Sequence, residues 1–104
     1  MEKSTFKLIV AKSKKDKNRL SIELEGDLSL KNSKEIKNKI LAAVENYENL
    51  NIKINQVKNL DISLIQILTA IKKEKKEVTF LFDMPEHTKS LLLKAGFEKL
   101  ITNN

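Results

Sequence analysis

The chain has 104 residues, the size of one compact domain with no room for a second core, so residues 1–104 are read as a single domain. Hydrophobic residues make up 40% but aromatic ones only 5%, so Ile, Leu and Val must build the core; the absence of cysteine excludes disulfide frameworks, thiolate metal sites, cysteine nucleophiles and iron–sulfur clusters. The formal charge of +6 raises a nucleic-acid reading, but Arg19 is the only arginine, whereas phosphate and base recognition favour arginine's bidentate fork. The lysines therefore read as a solvated surface, and nucleic acid ranks last among partners.

The apolar run Phe6 to Ala11 is interrupted by Lys7 and ends in lysines, which is too short for a signal peptide or a membrane span. The stretch Ile62 to Ile71 contains Ser63, Gln66 and Thr69 and is also too short to cross a bilayer. A soluble, cytoplasmic protein without membrane insertion is expected.

Phe6 to Val10 and the strictly alternating Leu20 to Glu25 read as two strands of an antiparallel hairpin, joined by the polar segment Lys12 to Asn18. Gly26 and Asp27 are expected to end the second strand. Asn32 or Ser33 then opens a helical pattern with Ile36, Ile40, Leu41 and Val44 on one face, and Glu35 stands three residues after Asn32 as in a capping box. Leu50, Ile52 and Ile54 alternate with polar residues as a third strand, followed by a polar bend from Gln56 to Asn59.

Leu64, Ile65, Leu68 and Ile71 form the apolar stripe of a second helix starting at or just before Ser63, which has capping-box spacing to Gln66. Its lysine-rich end, Lys72 to Lys76, suits the negative end of the helix dipole. Val78 to Phe82 reads as a buried fourth strand. Asp83 is placed to cap a third helix that turns Leu91, Leu92 and Ala95 to the core and ends at Gly96, a left-handed terminator with Phe97 folding back. The order β-β-α-β-α-β-α implies an α/β fold: a mixed sheet of four or five strands covered by helices, the fifth strand falling at Lys99 to Ile101.

Catalysis needs positioned acids, bases or nucleophiles. His87 is the only histidine and lies among Glu86 and Thr88 without a triad motif, so it reads as an exposed helix-start residue. Gly26 and Gly96 are too far apart for a phosphate cradle and read as structural punctuation. No cofactor, no metal and no enzymatic activity are expected. Asp61, just before a helix start, is the one carboxylate in a position of mechanistic interest, and its plain reading is a helix cap.

Three segments in order, Leu24-Glu25-Gly26-Asp27-Leu28, Leu60-Asp61-Ile62-Ser63-Leu64-Ile65 and Lys94-Ala95-Gly96-Phe97, resemble the STAS domain family (sulphate transporter and anti-sigma factor antagonist) over essentially the whole chain. The resemblance implies a non-enzymatic module that docks on an anti-sigma or kinase-like, or sensory, protein. In antagonists of that family the serine directly after the motif aspartate is phosphorylated; here the aspartate is Asp61 and the acceptor position holds Ile62, which cannot be phosphorylated. Ser63 is the remaining phosphorylation candidate, and Asp61, Ile62, Ser63 and Leu64 are the expected partner-binding residues. Leu64 replaces the motif glycine, and the sequence stops soon after Gly96, short of the family's usual closing helix. A second implied role is an accessory subunit of a phospholipid-transport ABC system, a transporter component that works without phosphorylation.

Overall fold

The computed structural model describes residues 6–94 and 96. Its elements are β1 (Phe6–Lys12), β2 (Arg19–Leu28), α1 (Leu30–Val44), β3 (Asn49–Leu60), α2 (Ile62–Glu74), β4 (Glu77–Asp83) and α3 (Glu86–Lys94). The sheet runs β1-β2-β3-β4, with β1 antiparallel to β2 and the other neighbours parallel. This is the α/β order and mixed sheet expected; the fifth strand at Lys99 to Ile101, the core-facing Ala95 and the fold-back of Phe97 lie outside the described residues.

Period-two alternation decides which side of the sheet is dry. Cross-strand rows Leu20, Leu50, Val78, then Ile22, Ile52, Phe80, then Leu24, Ile54, Phe82 face one way, and all but Val78 are buried. The two parallel crossovers advance the same way across the sheet, and right-handed connections then set α1 and α2 on one face. Their stripes, Ile36, Ile40, Val44 and Leu64, Ile65, Leu68, Ile71, close the core with Leu92 of α3. Each fully buried Leu or Ile contributes about 1.5–3 kcal/mol. Phe80 and Phe82 stack at 5.6 Å between ring centroids.

Several boundaries differ from expectation. The first helix begins at Leu30 behind the extended N-cap residue Ser29, ahead of Asn32 and Ser33. Those two are buried in the first turn: Asn32 donates its amide to the Asp27 carbonyl at 2.8 Å, and the Ser33 hydroxyl bonds back to the Leu30 carbonyl at 3.3 Å. Glu35 pairs with Lys39 at 3.1 Å. Leu41 (44% exposed) and Leu91 (54% exposed) turn to solvent rather than to the core. The third helix starts after Pro85, whose carbonyl accepts from the amides of Thr88 and Lys89 at 3.0 and 3.1 Å, while Asp83 closes β4.

Gly26 does not end its strand. Strand β2 continues to Leu28 and β3 to Leu60, through a bulge where Glu25 pairs with Asn55, Gly26 with Val57 and Asp27 with Asn59. Positive φ angles at Gly26 (101°) and Gln56 (49°) absorb the extra β3 residues, so the anticipated polar bend at 56–59 is a bulged strand. Gly96 has φ 92° and donates to the Leu93 carbonyl at 3.1 Å, the left-handed helix terminator expected there.

Candidate partner-docking site

Strands β2 and β3 end together. The Asp61 amide donates to the Leu28 carbonyl at 2.7 Å, which fixes the start of α2 beside the start of α1. Asp61 holds the N-cap position (φ −88°, ψ 127°), in line with its plain reading as a helix cap, whereas Ser63, given capping-box spacing at the helix start, is the second helical residue. Ile62, the first helical residue, is 40% exposed, whereas Leu64 is 0% exposed. Leu64 thus belongs to the core and offers no surface to a partner, a consequence of the helical period that turns its side chain under the sheet-facing stripe.

The hydroxyl of Ser63 donates to Asp61 Oδ2, and Lys37 Nζ of α1 donates to Ser63 Oγ at 3.4 Å. The Ser63 hydroxyl is the main reason the Asp61 carboxyl is held below its ordinary value; partial burial opposes this, while Ser33, the Ser63 amide and the Lys37 charge add to it. Next to it, Asp27 is lowered chiefly by Ser29, its Oδ1 accepting from the Ser29 amide at 3.1 Å and from Asn59 Nδ2 at 3.4 Å. Two anionic carboxylates therefore mark the helix starts, where unpaired N–H groups and the dipole favour negative charge.

An open groove of about 480 Å³ runs from this turn to α3, lined by Asn59, Leu60, Ile62, His87, Thr88 and Leu91, among others. Exposed Ile62 and Leu91 give it an apolar floor beside the charged turn. Lys37 was not singled out from the sequence, whereas Ser33 was read only as a helix start and Leu91 only as a core residue. Lys37 lies 26 residues before Ser63, and no local pattern links the two. Leu91 carried a signal, adjacency to core Leu92, but that signal alone does not say which of the two faces out. His87 is exposed, as expected. Among the described residues no cluster of three or more His, Asp or Glu groups could hold a metal ion, and no helix is long and apolar enough to cross a membrane.

Comparison with solved structures finds a likeness to the Bacillus cell fate determinant SpoIIAA in its phosphorylated form, at 16% identity and a TM-score of 0.61, over 93% of this chain and 88% of that one. At that identity the likeness speaks for the fold. Curated protein sequences give no match. The family model described as "Mlab, STAS domain" matches residues 11–102, which span all three segments that carried the resemblance, and the chain therefore belongs to the STAS domain family.

Proposed function

We propose that this protein is a non-enzymatic regulatory module of the anti-sigma factor antagonist type, working in the cytoplasm and docking on a kinase-like or sensory protein through Asp61, Ile62 and Ser63. The observation that carries this reading is Ile62, an apolar side chain 40% exposed at the start of α2 between Asp61 and Ser63. An exposed apolar residue flanked by polar groups at a helix start suits a small protein interface, where an apolar anchor supplies attraction and the rim supplies orientation. Ser63 is the hydroxyl available for phosphorylation in this turn. A phosphate there would meet the Lys37 ammonium and the α2 N-terminus, and would set added negative charge beside Asp61.

A second reading is supported by two observations: the acceptor position is isoleucine, and the matching family model bears the name Mlab. In that reading the same turn seats on a component of a phospholipid-transport ABC system and is not phosphorylated. Affinity capture with the wild-type chain and Ile62→Lys, followed by mass spectrometry, tests both. Loss of one specific partner in Ile62→Lys, with unchanged circular dichroism, supports the docking turn. A kinase partner that phosphorylates Ser63 supports the first reading, and a transporter component supports the second. Equal capture by both proteins removes the turn from the interface.

A further inference from the structure

The face of the sheet opposite the helices carries an ordered pattern. Alternation places Lys7, Ile9 and Ala11 of β1, Ser21, Glu23 and Glu25 of β2, Asn51, Lys53 and Asn55 of β3, and Thr79, Leu81 and Asp83 of β4 on this side. Strand register lines them up in rows: Lys7, Glu25, Asn55, Asp83, then Ile9, Glu23, Lys53, Leu81, then Ala11, Ser21, Asn51, Thr79. Ile9 and Leu81 are 46% and 57% exposed. A shallow depression of about 370 Å³ runs along this face over the two lower rows.

From this pattern we infer that the sheet face is a self-complementary surface occupied by a second copy of the chain, related by a two-fold axis parallel to the strands and midway between β2 and β3. That operation lays β1 over the partner's β4 and β2 over its β3 while keeping each row in place. Glu23 then faces Lys53 of the partner subunit, Ile9 faces the partner's Leu81, and Lys7 faces the partner's Asp83. In the same rows Glu25 pairs with Lys7 of its own chain at 3.7 Å and Asn55, largely buried, donates to Glu23 of its own chain at 3.1 Å, and the short side chains Ala11, Ser21, Asn51 and Thr79 let the sheets approach.

The other in-plane two-fold, perpendicular to the strands, stacks Glu23 on Glu23 and Lys53 on Lys53. Like charges directly opposed suppress that arrangement. Ion pairs inside such an interface give little net affinity, because desolvation offsets the attraction, so they select the orientation while Ile9 and Leu81 supply the attraction. Four strands about 4.8 Å apart and seven residues long cover about 450 Å² per copy, below the roughly 800 Å² of a standard stable interface. The dimer is therefore weak and reversible. Because the axis runs along the strands, both Asp61 to Ser63 turns emerge at the same end of the pair, available to a partner with two-fold symmetry.

Sedimentation equilibrium of the full chain from about 10 μM to 1 mM reads the monomer–dimer balance directly. A wild-type dimer that becomes monomeric in Leu81→Lys, is weakened about tenfold or more in Glu23→Lys, and is restored when Glu23→Lys is combined with Lys53→Glu supports the inference. A wild-type chain that stays monomeric throughout overturns it, as does a dimer that persists in Leu81→Lys. Orientation has its own test, because the chain lacks cysteine and an added thiol is unique. With a bismaleimide spanning the separation of about 10 Å between stacked sheets, chains carrying Ile9→Cys should crosslink to chains carrying Leu81→Cys; predominant Ile9→Cys self-crosslinking overturns the proposed axis.

Discussion

The start of α2 is held by a hydroxyl, and removing it tests how the turn is built. In Ser63→Ala, Asp61 loses the donor that most lowers its carboxyl, and Lys37 loses its acceptor at 3.4 Å. Hydrogen bonds onto charged acceptors contribute roughly 1.5–3 kcal/mol when dry, and about 1 kcal/mol where water competes. Ser63 and Asp61 are half-buried, so Ser63→Ala should cost about 1 kcal/mol, a fall of about 4–8 °C in Tm for a domain this size. A double-mutant cycle with Asp61→Ala, read by urea unfolding at about pH 7, should give a coupling of about 1 kcal/mol. The cycle also has a defined pH dependence. Asp61 is lowered from 3.8 in the folded chain, so at acid pH the unfolded chain binds the extra proton; the stabilisation is complete above about pH 5 and is lost as pH falls through the lowered value. Repeated at successively lower pH, the coupling should shrink progressively. Additive mutants at neutral pH, or a coupling that ignores acid, would show that the Ser63 to Asp61 bond does not organise the turn.

Three further outcomes follow from the geometry. Ser63→Asp puts a second carboxylate beside Asp61, partly offset by Lys37 and the helix dipole, so it should fold with a loss of about 0.5–1 kcal/mol by thermal melting and should not bind the captured partner. Leu64→Ala should cost about 2–5 kcal/mol in denaturant unfolding, because Leu64 is fully buried; unchanged stability would remove it from the core. A Cβ at Gly96 would meet nothing within 4 Å among the described residues, yet φ is 92°, so Gly96→Val should lose about 1–2 kcal/mol through backbone strain, and an unshifted melting curve would contradict the left-handed cap.

The sequence alone determined the order and type of every element, because the spacing of Leu20, Ile22 and Leu24, or of Leu64, Ile65, Leu68 and Ile71, is a property of each segment by itself. It also located the turn at Asp61, since a carboxylate ahead of an apolar stripe is a local signal. Boundaries were less legible where two local readings competed: Asn32 with Glu35 has capping spacing, yet Asn32 bonds to the Asp27 carbonyl instead. The bulge at Gly26 and Gln56 was hidden because a bulge is a mismatch between two strands, visible only once they pair. Lys37 reached Ser63, and Glu23 aligned with Lys53, only through packing and register. Periodicity fixes which face a residue takes within its own element; which residue of another element it meets depends on crossovers and register, and those exist only in the folded chain.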